Sequence, residues 1–254
     1  MPTEYVLVVE HAAGYGSCMT KPWTTLASVA TDEGLLELRQ RDLDDFLIVI
    51  GGRVLMSSKA NRSEVEVATL PCQLLGGIAK PRVLIGGLGM GYTLRAALDT
   101  CPSGATIWVA ELNPDVVTWC QGPLATLTND ALSDPRVHVH VGDVAKLIRE
   151  VSRSKRWDAI ILDLYEGPHA ASQSGSDPFY SPSALNSTRA ALTDRGVFSV
   201  WSEERDALFE RKLKRSGFEF EHVRSGRGGR RHPVYIAHAA GRQRQTGSKG
   251  RRPI

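Results

Sequence analysis

Cysteine and aromatic residues are scarce in this chain: four cysteines in 254 residues, and 7% aromatics. Cys18, Cys72, Cys101 and Cys120 are too few and too widely spaced for a disulfide framework or a zinc site, and free thiols in a reducing cytoplasm are expected. No apolar run approaches the ~20 residues of a membrane span. The start, Met-Pro-Thr-Glu-Tyr, lacks the basic region of a secretory signal. Histidines are isolated apart from His138 and His140, which share one strand face, so no metal site is expected.

Excess charge is also missing from the body of the chain. The net charge of +3 comes from residues 241–254, which hold Arg242, Arg244, Lys249, Arg251, Arg252 and no acid. The remainder has 26 basic against 28 acidic residues. With no aromatic interleaved for base stacking, this tail reads as a solvated, disordered extension rather than a nucleic-acid arm. A small-molecule substrate is the expected partner, and a homodimer is compatible with the sequence.

What is present is alternation. From residue 80, apolar strands are expected at Arg82–Gly86, Thr106–Leu112, Val137–Val141, Trp157–Leu164, Gly196–Ser202, Phe218–Ser225 and Pro233–His238. Helices fill the gaps. One opens near Gly91, another at Asn113-Pro114, and later ones cover Ser183–Leu192 and Glu203–Arg215. Such alternation predicts an α/β fold, a Rossmann-like doubly wound sheet of seven strands. Leu36–Gln40, Phe46–Ile50 and Arg53–Met56, separated by Asp44-Asp45 and Gly51-Gly52, predict a small antiparallel meander before it. The expected organisation is an extension over 1–33 with a strand at Tyr5–Glu10, a β-rich domain over 34–79, a Rossmann-like domain over 80–240, and a tail over 241–254.

The chemistry concentrates where strands end. Val83-Leu84-Ile85-Gly86-Gly87-Leu88-Gly89-Met90-Gly91 is a strand running into a glycine-rich turn. Glu111 closes the next strand about twenty residues later. Glycines let backbone approach a ligand, and an acid at that strand tip can take both hydroxyls of a ribose. Gly87, Gly89, Gly91 and Glu111 are therefore candidate nucleoside-binding residues. The spacing G-x-G-x-G lacks the later glycine of a dehydrogenase.

These motifs, with VAELNPDVV, DPRVHVHVGDV and WDAIILDLYEGP in the same order, resemble the spermidine synthase family of polyamine aminopropyltransferases. The resemblance implies the class I methyltransferase sheet and use of decarboxylated S-adenosylmethionine. It further implies that Asp143 accepts from the adenine amino group, although Asp143 also suits a helix N-cap. Asp163 and Glu166 fall in the family's catalytic loop, usually D-S-S-D-P. There two carboxylates hold the attacking amine and accept its proton. Tyr165 is placed to close over substrate, or to pack.

Two departures redirect the expectation. Met90 replaces the aspartate of the family's GGGDGG loop, which faces the amino end of the cofactor and would repel the carboxylate of intact S-adenosylmethionine. Asn61-Arg62-Ser63-Glu64 replaces the Tyr-His/Gln-Glu segment beside the polyamine pocket, and Arg62 would oppose a diamine and favour a carboxylate. The expected activity is therefore an S-adenosylmethionine-dependent transferase, most simply a methyltransferase acting on a small polar acceptor. A polyamine aminopropyltransferase is the alternative, and a non-catalytic nucleoside- or partner-binding protein is a third.

Overall fold

The computed structural model describes residues 21–151, 155–165, 167–168, 176–224 and 232–239. The expected strand Tyr5–Glu10, the candidate Glu166 and the basic tail fall outside the described residues.

The chain begins with the meander. Strands β1 (Thr24–Thr31), β2 (Gly34–Asp42), β3 (Asp45–Ile50) and β4 (Arg53–Ser57) pair antiparallel in chain order. Alternation along β2 and β3 sends Leu36, Leu38, Phe46, Ile48 and Ile50 into the core. The outward partners Glu37 and Arg39 form an ion pair at 2.6 Å. β1 is an additional strand, drawn from the segment expected to be an extension. It has no fully buried residue and is held by its ladder to β2 and by half-buried Ala27 and Val29, too weak an apolar alternation to announce it.

Helix α1 (Arg62–Leu74) lies within the segment expected to be β-rich. Ser63-Glu64-Val65-Glu66-Val67-Ala68-Thr69 alternates polar and mostly β-branched residues, a strand-like local signal. Packing overrides it, because Ser63, Val67, Ala68, Pro71 and Cys72 make one buried helical face. Pro71 sits inside the helix and has no N–H to give the carbonyl of Val67. The buried hydroxyl of Ser199 supplies that donor from the sheet at 2.8 Å.

The large sheet follows, with its expected strands in place. In chain order it comprises β5 (Arg82–Gly86), α2 (Tyr92–Thr100), β6 (Thr106–Glu111), α3 (Pro114–Gln121), β7 (Val137–Val141), α4 (Val144–Glu150) and β8 (Trp157–Leu162). α5 (Pro182–Ala191), β9 (Leu192–Trp201), α6 (Ala207–Arg215), β10 (Phe218–Arg224) and β11 (Pro233–Ala239) complete it. The strand order is β10-β11-β9-β8-β5-β6-β7. β7, β6, β5, β8 and β9 are parallel, and β11 is antiparallel to both neighbours.

Side chains alternate across the sheet and divide its core in two. Val83, Ile85, Ile107, Val109, Ala159 and Ile161 point to the face covered by α1, α2, α3 and the meander. Leu84, Ala110, Ile160, Leu162, Phe198 and Val200 point to the face covered by α4, α5 and α6. Burial on both faces explains why these strands read as unbroken apolar runs. Helix boundaries follow local chemistry: Asn113 Oδ1 accepts from Asp115 N (2.8 Å) ahead of Pro114, and Gly217 turns at φ +77° after α6.

Candidate active site

Connections leave β5 and β8 in opposite directions, so a crevice opens at the carboxyl ends of these two strands. The loop after β5 carries the three candidate glycines. Gly87 has φ +91°, and a Cβ there would lie 2.3 Å from the carbonyl oxygen of Asp163. Glycine is required twice over, by conformation and by the close approach of two backbones. Gly91 is the left-handed N-cap of α2, against Thr128. Gly89 is approached by Met56 Sδ from the meander.

Glu111 ends β6 beside this loop. Its Oε2 accepts from Leu88 N and its Oε1 from Asn113 N, both at 2.9 Å. The carboxylate thereby fixes the glycine loop and the start of α3, and each oxygen retains a lone pair for a ligand hydroxyl. Asp143 is the N-cap of α4: its Oδ1 accepts from Ala145 N at 2.8 Å, and Arg149 approaches Oδ2 at 3.7 Å. The capping role is thus realised, while adenine recognition rests on the family resemblance.

Asp163 follows β8 and meets an acid that the sequence reading did not select. The Thr93 hydroxyl, in the first turn of α2, touches Asp163 Oδ2 and the backbone carbonyl of Glu64 (3.1 Å). Glu64 belongs to the first turn of α1 and takes a hydrogen bond from Ser63 Oγ at 2.7 Å. Asp163 keeps some exposed surface, yet protein surrounds its carboxyl. Burial first, then the Glu64 charge, push it up to about 7 against the opposing Thr93 bond. Burial likewise raises Glu64, opposed by Ser63 and by the charge of His232. His232 packs against Trp201, the ring centres 5.0 Å apart and the planes tilted by 40°, with its Nδ1 3.2 Å from the carbonyl of Glu203.

One hydrogen on Thr93 cannot serve two acceptors at once. When Asp163 is ionised, Thr93 donates to it. When Asp163 is protonated, its O–H donates to Thr93 and frees the threonine proton for the Glu64 carbonyl. The arrangement therefore stores or accepts a proton near neutral pH, beside a second carboxylate.

The remaining candidates have other surroundings. Tyr165 is exposed. Its hydroxyl lies 2.7 Å from both carboxylate oxygens of Glu33 in the β1–β2 turn, and Arg53 stands 5.9 Å from its ring centre. It ties the loop after β8 to the meander. Arg62 is exposed at the first position of α1, two residues from Glu64. Met90 corrects an expectation: it is not exposed in the crevice but fully buried, a member of the core cluster beneath the loop. Of the residues missed, Glu64 had a signal in the sequence, as the acid that ends the Asn61–Glu64 segment. Thr93 and His232 had none, since only the fold brings them to Asp163 and Glu64.

No helix among the described residues is long and apolar enough to cross a membrane. No group of three or more His, Cys, Asp or Glu among them could hold a metal.

The spermine/spermidine synthase domain model matches residues 72–215. The polyamine aminopropyltransferase of Clostridium tetani is 30% identical over 122 residues, 48% of this chain and 41% of that protein. Its counterpart from Prochlorococcus marinus (strain MIT 9312) is 26% identical over 129 residues, 51% of this chain and 43% of that protein. The chain thus matches less than half the length of these curated relatives. Spermidine synthase from Thermotoga maritima superposes with a TM-score of 0.66 at 19% identity, covering 85% of this chain and 73% of that one. A spermidine synthase in complex with the transition-state analogue AdoDATO gives 0.64, also at 19% identity, covering 85% and 72%. These superpositions carry the fold, with its methyltransferase-like sheet, and the family model spans more than half of the sequence: the chain belongs to the spermine/spermidine synthase domain family.

Proposed function

We propose that this protein transfers an aminopropyl group from decarboxylated S-adenosylmethionine to a small amine. The observation that carries the reading is the meeting of Asp163 and Glu64 through Thr93. Burial raises both carboxyls and the Glu64 charge raises Asp163 further; an ammonium beside them relieves this, which suits a cationic acceptor better than a neutral or anionic one. The family membership and the polyamine aminopropyltransferases it resembles support the same choice over methyl transfer.

Glu111 and the backbone around Gly87 and Gly89 would hold the nucleoside. Their fit rests on the free lone pairs of Glu111 and on a loop that admits no side chain at Gly87. The sulfonium compound, when bound, supplies an electrophilic carbon next to its sulfur. Glu64 orients the acceptor ammonium. Asp163, ionised above about pH 7, takes the proton that the amine must lose to expose its lone pair. Carbon–nitrogen bond formation then expels methylthioadenosine. Catalysis comes from alignment and from this proton acceptor.

Methyl transfer remains the second reading, favoured by the absence at position 90 of the aspartate the family carries, which leaves no charge there to repel the carboxylate of intact S-adenosylmethionine. Released product separates the two. Purified protein is incubated with a diamine and either decarboxylated or intact S-adenosylmethionine, and the nucleoside is identified by mass spectrometry. Methylthioadenosine from the decarboxylated compound is expected. S-adenosylhomocysteine from the intact compound, with no reaction of the decarboxylated one, would replace this proposal with a methyltransferase.

A further inference from the structure

The chemistry at the crevice leaves one pair of nucleophiles unused, at the opposite ends of the two helices that build it. α1 and α2 both begin at the crevice, with Glu64 and Thr93 in their first turns, and pack side by side. Cys72 lies in the last turn of α1, and Cys101 immediately follows α2. Their side chains are neighbours that perturb one another, and both thiols are free and largely buried at the helix ends. Both line a cleft of about 520 Å³, with Gly76, Ile78, Thr100 and Pro102. Two thiols in contact at the wall of a cleft are more than two buried apolar side chains. The cleft gives a reagent a way in, and the contact gives the first sulfur a partner.

We infer that Cys72 and Cys101 form a thiol–disulfide exchange site for a small-molecule disulfide entering this cleft. The two sulfurs are not equivalent. The neighbouring Cys72 thiol lowers Cys101 against the opposing effect of burial, and the charge of Arg136 adds to the lowering; the Arg136 Nη1 lies 3.5 Å from the Cys101 carbonyl. Cys72 is raised by the same contact and by burial. Cys101 is therefore the thiolate that attacks, and Cys72 resolves. In the first step the Cys101 sulfur bonds to one sulfur of the reagent and expels the other as a thiolate. In the second, Cys72 loses its proton to that thiolate or to water, bonds to Cys101 Sγ and expels the second thiolate. Two protein thiols are oxidised and one disulfide is reduced to two thiols. The link closes a loop containing β5, the glycine turn and α2.

The test uses the full chain, reduced, desalted and exposed to glutathione disulfide at pH 8. Free thiols are alkylated at intervals and the protein is digested with trypsin and chymotrypsin. Cleavage after Trp108 separates Cys101 from Cys120. A Cys72–Cys101 linkage should be the dominant disulfide in folded protein and should form at least tenfold faster than in protein unfolded by urea. The Cys72→Ser variant should stop at glutathionylated Cys101. In the Cys101→Ser variant, Cys72 should react at least tenfold more slowly than that. Linkage mainly through Cys18 or Cys120 overturns the proposal. So does failure of Cys72 and Cys101 to react in folded wild-type protein under conditions where the unfolded chain does.

Discussion

The hydroxyl of Ser199 donates to the carbonyl of Val67 at 2.8 Å, filling the position in α1 that Pro71 leaves without a donor. A sheet strand and the helix above it are thus joined at the helix's own defect. Ser199→Ala should leave that buried carbonyl unpaired and cost about 1–3 kcal/mol. Urea denaturation would report it. Combining it with Pro71→Ala, which restores the helical N–H, should recover much of the loss. If the double variant is no more stable than Ser199→Ala, the hydroxyl has another role.

Asp163 should make the protein's stability and its rate respond to pH in opposite directions. Its folded value, about 7, lies above the ordinary 3.8, so the folded chain holds an extra proton between about pH 4 and 7. The unfolded chain binds fewer protons there, and stability falls as pH rises through this window. Asp163→Asn resembles the neutral acid. It should exceed wild type at pH 8 by on the order of 1–2 kcal/mol, less than the full shift because the residue is partly exposed, with the gap closing toward pH 4. Turnover should fall roughly a hundredfold. The wild-type rate should climb with pH to a plateau above about 7. Denaturation midpoints and initial rates at several pH values test both parts.

Glu111→Ala should weaken adenosine-containing ligands at least about tenfold, since charge-assisted bonds contribute roughly 1.5–3 kcal/mol each. The variant also releases Leu88 N and Asn113 N. Calorimetry with methylthioadenosine therefore needs a parallel circular-dichroism comparison. A folded variant that binds as tightly as wild type would remove Glu111 from the nucleoside site.

Gly87→Ala and Gly52→Ala form a matched pair. Both glycines have positive φ, +91° and +81°, but only Gly87 has a neighbour in the way of a Cβ. Gly52→Ala should cost about 1 kcal/mol, the conformational strain alone. Gly87→Ala should cost about 3 kcal/mol or more and abolish ligand binding. Equal costs in urea denaturation would show that the contact with Asp163 is easily relieved.

Much of this was legible in the sequence because local and long-range preferences agree. Val83–Gly86 is apolar on both faces, ends in glycine and is followed by a helix, and each of these properties is used in the fold. Helix α1 was illegible for the opposite reason. Its β-branched alternation and internal proline argue against a helix, and the compensation comes from Ser199, more than a hundred residues away. β1 carries only a faint pattern because Ala27 and Val29 are no more than half-buried against the core. At the site, Asp163 and Glu111 could be read from their strand ends. Glu64 could be read only as the acid that ends the Asn61–Glu64 segment, while its meeting with Asp163 across Thr93 could not, because only the fold brings α1 and α2 together there. Met90 shows the limit of reasoning by position: a matched place in a motif does not fix where a side chain points.

The contact between Gly87 and the Asp163 carbonyl has a consequence for how such a site can diversify. The strand end that would grip the nucleoside and the strand end that holds the proton acceptor touch through main chain, with no side chain between them to exchange. Neither can be retuned without displacing the other, so this half of the crevice behaves as one inherited casting. New acceptor preferences have to be written elsewhere, in the first turn of α1 and the turns of the meander, where Glu64, Arg62 and the Glu33 partner of Tyr165 are carried on separate pieces of chain.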